Sequence, residues 1–222
     1  MPSYFRQLPD FQYVSRTPDA VTIDEYNTVK NIFKRGKLKD DIFNDLNYFT
    51  KYKIIGDDRP DNVAHKVYGD ETLDWIILLS NNILNVQTEW PIPQSSFYNF
   101  LINKYGSESG IQEVHHYETI EIKTSKKAIV VPAGLTVPAD YSVEYYDSGL
   151  GTKVTRTDAT EAVTNYQYEE KIEDAKRNIF ILKTDYINLV LNDMEEIMEY
   201  KKGSTQYVSR TLIKGENIRL YS

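Results

Sequence analysis

Three histidines, His65, His115 and His116, are the only imidazoles in the chain. His115 and His116 are adjacent in a segment of alternating pattern. Neighbouring side chains of a regular strand point to opposite faces, so this pair is not expected to bind one metal. His65 lies outside any H-x-x-x-H or H-E-x-x-H spacing. Paired acids occur at Asp57-Asp58, Glu169-Glu170 and Glu195-Glu196, where turns and solvated helix faces are expected. Glycoside hydrolysis would need two carboxylates held across a cleft, which adjacency does not supply. The 10 glycines are scattered, with no phosphate-binding loop, and Gly149-Leu150-Gly151 reads as a hairpin turn. No cysteine is present, which excludes thiol nucleophiles, disulfides and zinc–thiolate sites. The expectation is therefore no catalytic set, no metal and no cofactor.

Composition narrows the class further. At 222 residues and 41% hydrophobic the chain can bury a core, as one large domain or two small ones. A formal charge of −7 argues against nucleic acid as the main partner. The most apolar stretch, Trp75 to Leu79, is far shorter than the ~20 residues that cross a bilayer, so no membrane is expected either. The 18 tyrosines are unusual: the side chain suits surfaces that are wet before assembly and buried afterwards, and it is equally a good strand former.

The pattern along the chain reads as α+β. Residues 1–20 carry Phe5, Leu8, Phe11, Tyr13 and Val14 between Pro2, Pro9 and Pro18, which reads as an extended arm. Thr22-Ile23-Asp24-Glu25 fits a capping box and predicts a helix over 24–34, with the basic run Lys34 to Lys39 at its C-terminal end. A strand is expected over 49–55. Two helices follow it, the first capped by Asp58 with Pro60 in its first turn and ended by Gly69, the second capped by Asp70 and apolar nearly all round. A third helix is expected over 95–105. Residues 107–164 alternate in short strands, giving a β-rich insertion. In 165–200 a buried strand, 178–182, precedes a helix capped by Thr184, with Ile187, Val190, Leu191, Met194, Ile197 and Met198 on one stripe. Residues 201–222 read as a second arm carrying Tyr207, Val208, Leu212 and Ile213. The domain divisions expected are thus 1–20, 21–106 (with the strand–helix–helix block at 49–106), 107–164, 165–200 and 201–222.

The block carrying Gly56, Arg59-Pro60, Tyr68-Gly69-Asp70, Trp75 and Asn81-Asn82 resembles a LysM-type strand–helix–helix signature. With Trp90-Pro91 and the helix from Asp185 to Glu199, the chain more specifically resembles the gene product fifty-three family of T-even-like myovirus baseplate wedge proteins. That resemblance implies a structural subunit of a contractile-tail baseplate in the virion, assembled in the host cytoplasm. It further implies joining of neighbouring wedges in a sixfold ring of several copies, with other wedge subunits, the central hub or a sheath initiator as partners. A LysM fold closes with a second strand, expected here from 132–138. The motif residues read as mainly structural. The interface candidates are Phe5, Leu8, Phe11, Tyr13, Tyr207, Val208, Leu212 and Ile213. The alternative is a LysM-type module binding peptidoglycan or chitin.

Overall fold

The computed structural model describes residues 3–15, 21–22 and 25–215. Contacts divide the chain into two units, one made of 1–90 with 178–222 and the other of 91–177. The order is α1 (Tyr4–Gln7), β1 (Asp10–Val14), β2 (Tyr26–Lys30), α2 (Asp40–Phe43), β3 (Phe49–Lys53), α3 (Pro60–Tyr68), α4 (Asp74–Ser80) and α5 (Val86–Glu89). The second unit then contributes α6 (Gln94–Tyr105), α7 (Glu108–Gln112), β4 (Val114–Thr119), β5 (Ile122–Lys123), β6 (Ile129–Val131), β7 (Thr136–Val137), β8 (Val143–Asp147), β9 (Thr152–Arg156), β10 (Thr160–Thr164) and α8 (Asn165–Lys176). The chain returns to the first unit with β11 (Asn178–Leu182), α9 (Ile187–Met198), β12 (Tyr207–Ser209) and β13 (Leu212–Lys214). The mixture is α+β, as the sequence pattern indicates.

In the first unit β3 pairs antiparallel with β11, from Phe49↔Leu182 to Lys53↔Asn178. The strand that closes the strand–helix–helix block is therefore β11, whereas the sequence pointed to 132–138. Thr136 and Val137 instead pair with Glu118 and Tyr117 of β4. Between β3 and β11 in sequence lie α3 and α4. Pro60 sits in the first turn of α3, where its missing N–H costs nothing. The N-cap is Arg59 rather than Asp58. The Asp58 carboxylate takes the Lys66 ammonium at 2.5 Å, and its carbonyl accepts the Trp90 indole N–H at 2.9 Å. Gly69 ends α3 at φ 73°, in the left-handed region that a Cβ disfavours. Asp70 accepts bonds from the Thr72 N–H and hydroxyl at 2.9 and 2.7 Å, which lower its pKa, and so starts a 3₁₀ turn that runs into α4.

Helix α4 is sandwiched. Trp75 and Ile76 pack with Leu8, Leu38, Ile42, Phe49, Leu182 and the α9 residues Val190, Met194 and Met198. Ile77 faces a second cluster with Ile54, Val63, Ala64, Trp90, Ile179 and Ile181. Asn81 then locks the helix to the sheet. Its amide donates to the Ile77 and Phe180 carbonyls, both at 2.8 Å, and its oxygen accepts the Phe180 N–H at 2.7 Å. Gly36 packs closely on α9: a Cβ there would lie 2.3 Å from the Met194 sulfur, so the end of that side chain would have to shift.

Several local expectations are corrected. Residues 26–30 form a strand, not a helix, because Phe11↔Val29 pairing to β1 overrides the T-x-x-E signal; Ile23 and Asp24 lie outside the described residues. Lys39 consequently terminates no helix and instead pairs with Asp193 at 2.6 Å and Glu196 at 3.0 Å on α9. Thr184 caps nothing with its side chain; it opens a 3₁₀ turn that leads into α9. The capping box with both reciprocal bonds is at Thr164 and Gln167, at the start of α8.

In the second unit, β10, β4 and β7 form one sheet, and β5–β6 and β8–β9 form two ribbons. Phe97, Leu101 and Ile111 make one core and Ile122, Val131 and Ala159 another. Glu169, expected on a solvated face, is 3% exposed and accepts from the Lys104 ammonium at 2.6 Å and the Tyr105 hydroxyl at 2.7 Å. Burial, then the Glu169 contact, pushes the Tyr105 phenol up to about 12. Asp147 ties the β8–β9 turn to Ser125, accepting from its hydroxyl at 2.6 Å and its N–H at 2.7 Å, and also from the Gly149 N–H at 2.8 Å. These donors hold its carboxyl down to about 2.

Trp75→Ala should cost ~3–5 kcal/mol in urea unfolding, because the cavity opens between packed helices. Asn81→Ala should cost about 2 kcal/mol, since it strands the Phe180 amide; an unchanged midpoint would show the sheet holds without that clamp. A carboxyl with a depressed folded pKa stabilises fully above about pH 4 and loses that contribution as pH falls towards 2. The Ser125 amide resonance should therefore move over that acid range, and Asp147→Asn should abolish the movement.

Candidate assembly interface

The two ends of the described chain meet in one sheet of order β12–β13–β1–β2. β1 is central. It runs parallel to β13, with Asp10↔Leu212 and Phe11↔Ile213, and antiparallel to β2. Residues 3–15 and 201–215 are thus not separate arms but partners, and the correction has a plain cause. Alternating apolar residues on two extended segments satisfy each other's backbone groups when they pair. The remaining arm residues, 1–2, 16–20 and 216–222, lie outside the described residues.

Register fixes which side chains share a face. Val29, Phe11, Ile213 and Tyr207 form one row across all four strands. Tyr13 stands beside Phe11, with ring centroids 6.5 Å apart and planes 13° apart. Tyr13 and Val29 are about two-fifths exposed, Phe11, Ile213 and Tyr207 are half-buried, and none joins a core cluster among the described residues. The opposite face is mixed, with Leu212, Val14 and Tyr26 among polar neighbours. Asp10 bridges Lys30 at 2.9 Å, Gln12 donates to Thr28 at 3.2 Å, and the Lys214 ammonium lies 3.9 Å from the Tyr26 ring centre.

The other candidates separate by burial. Leu8 is 2% exposed inside the chain's own core, which withdraws it from the surface set. Phe5 is 67% exposed with its ring edge-on to Tyr4, and Tyr4 in turn reaches Trp75. Val208 is exposed at the irregularity between Tyr207 and Ser209, and Leu212 is half-buried beside Asp10.

The motif residues sit in the framework. Pro60, Trp75, Trp90 and Pro91 are buried. Tyr68 donates to the Leu182 carbonyl at 3.1 Å, and burial pushes its phenol up. Gly56 and Asn82 turn the chain at positive φ, and Arg59 pairs with Asp61 at 3.3 Å. The backbone role of Asn81 towards β11 was not visible in sequence, because its partner is 99 residues away.

The chemistry-bearing groups are placed as follows. A cleft of about 680 Å³ beside β1 and α9 contains Asp10, Glu195 and Glu199, with Arg6, Lys30 and Arg210 among its other linings. Asp10 pairs with Lys30 and Glu199 with Arg210, so these two acids already carry counter-ions. His115 and His116 do not point apart as a regular strand requires. Opposite Val163-Thr164 the register skips from His116 to Val114, a bulge that brings the rings together with Nδ1···Nδ1 at 2.8 Å. Tyr168 stacks on His115 at 3.9 Å, and Glu118 contacts His116 at 3.1 Å and Lys171 at 2.8 Å. Among the described residues no group of three or more acids and histidines is arranged to hold a metal ion.

The relatives of this chain are baseplate proteins. The family described as base plate wedge protein 53 matches residues 5–131. The protein named baseplate wedge protein gp53 of Enterobacteria phage T4 is 28% identical over 208 residues, spanning 90% of this chain and 98% of that protein. The glycan-binding alternative finds no support in these matches. With a family match across more than half its length, taking in β1, β2 and the strand–helix–helix block, the chain belongs to the base plate wedge protein 53 family.

Proposed function

We propose that this chain, a structural subunit of a phage tail baseplate wedge, joins neighbouring wedges to one another around the central hub through its terminal sheet. The observation that supports this reading is the half-exposed row Val29, Phe11, Ile213 and Tyr207, with Tyr13 beside it, outside the chain's own core clusters. A half-exposed row of apolar and aromatic side chains has the composition of an interface core. Exposed Phe5 on α1 and Val208 on β12 belong to the same proposal. Several copies in a sixfold ring, contact with other wedge subunits and a sheath initiator, and assembly in the host cytoplasm before incorporation in the virion belong to this proposal. So do a purely structural role without catalysis and a framework role for the motif residues.

Deleting residues 1–20 does not test this cleanly, because it removes the central strand together with Leu8. That variant should lose stability outright. The double variant Phe11→Ser/Tyr13→Ser is the sharper probe. Its melting temperature should stay within a few degrees of the parent, as for surface changes generally, while joining of purified wedges, followed by sedimentation and electron microscopy, should fall sharply. Unimpaired ring formation by a folded double variant would sink the proposal.

A further inference from the structure

Edge strand β2 has an inner and an outer set of backbone groups, and the hydrogen bonds assign them. The Ser15 N–H donates to the Glu25 carbonyl at 2.7 Å and the Asn31 N–H to the Pro9 carbonyl at 2.8 Å. Residues 25, 27, 29 and 31 therefore direct their backbone groups at β1, while Tyr26, Thr28 and Lys30 direct theirs away from it, the Lys30 carbonyl already accepting the Ile32 N–H at 3.0 Å so that Lys30 offers its N–H. Among the described residues no strand lies on that outer side. Natural sheets blunt such an edge with proline, bulges or inward charges, and β2 carries no proline and pairs with β1 without a shift in register. Immediately after it, Ile32 and Phe33 are 69% and 93% exposed.

The surroundings are cationic in an otherwise acidic protein. Lys30, which closes the strand, is already paired with Asp10, so the charge comes from Lys34 and exposed Arg35 after Phe33. Lys34 donates to the Glu199 carbonyl at 2.5 Å and lies 4.7 Å from the Tyr200 ring centre. Partial burial, and then the charge of Lys201, lower its pKa. We propose that β2 accepts an added strand: an extended, acidic segment of another polypeptide, its backbone bonded to Tyr26, Thr28 and Lys30, and its end covered by Ile32 and Phe33. Backbone bonds supply the affinity of such additions, and flanking pockets and charges supply the choice of partner. The assignment of that polypeptide to a neighbouring baseplate subunit rests on the wedge-joining reading; the open edge does not.

The test uses the full chain and three short synthetic strands: one alternating Thr or Val with Glu, its Lys counterpart, and the Glu strand N-methylated at alternate amides. Titrations at low salt are followed by amide NMR. The acidic strand should shift Tyr26, Thr28 and Lys30 and bind at least about tenfold more tightly than either control, and binding should weaken as salt is added. Thr28→Pro removes an outward N–H without touching the ladder to β1, and should abolish binding at an unchanged melting temperature. If that variant unfolds, Phe33→Ser should still weaken the acidic strand severalfold. Equal binding of the N-methylated strand would reduce the contact to charge alone and overturn the proposal, as would shifts confined to other residues. Should the acidic strand fail while Phe11→Ser/Tyr13→Ser still blocks wedge joining, the open edge is dismissed and the wedge-joining reading stands. Should the strand bind while the double variant joins wedges normally, the reverse holds.

Discussion

The pairing of β3 with β11 is the constraint on which the first unit depends. Five residues on each side are matched, and between them in sequence lie α3, α4, α5 and the whole of the second unit. Closing so long an excursion carries an entropy cost that grows only slowly with its length. It is offset by contacts clustered at one place. Ile179 and Ile181 enter one core and Leu182 the other, Tyr68 reaches the Leu182 carbonyl, and Asn81 takes both backbone groups of Phe180. The asparagine acts as a one-residue substitute for a neighbouring strand, so the helix that buries Trp75 is held to the sheet by polar bonds as well as by packing. Tyr68, Trp75 and Asn81, conspicuous in the sequence, are thus all drawn into this one framework.

The aromatic residues of the first unit divide between the core and the terminal sheet. Trp75 and Trp90 are inside, each with its body packed, and the Trp90 indole N–H finds the Asp58 carbonyl. Phe11, Tyr13 and Tyr207 lie on a thin sheet, where a side chain with an apolar ring can remain half-wet without loss of the fold. The second unit adds buried polar groups to its two apolar cores. Glu169 and Asp147 are each satisfied by several donors, so that their charges fix geometry instead of seeking a ligand.

Elements set by local periodicity were legible from sequence. The helix ending at Gly69, the strand 178–182 and the stripe from Ile187 to Met198 needed only spacing of 2 or 3.6 and a glycine at the right place. Elements decided by distant partners were not. Tyr26, Val29 and Phe33 fit a helical stripe, and Thr22 with Glu25 fits a cap, but Tyr26-Asn27-Thr28-Val29 is equally a strand once β1 lies beside it. The same type of signal at Thr164 and Gln167 is a true capping box, with nothing local to distinguish the two. His115 and His116 were misplaced because alternation assumes a regular ladder, and one skipped residue opposite β10 reverses the side of the sheet. Of the interface candidates, the sequence supplied the apolar residues, but only the register could tell Phe11, Ile213 and Tyr207, aligned in one row, from Leu8, which is buried.

The parallel contact of β1 with β13 has a consequence for synthesis. Asp10 emerges from the ribosome early and its partner Leu212 among the last residues described, an interval on the order of ten seconds or more at ordinary elongation rates. Until then the first strand has one flank vacant and the aromatic row is incomplete. A polypeptide that stops short of β13 leaves that flank open for good, so this sheet is finished only when translation is nearly complete.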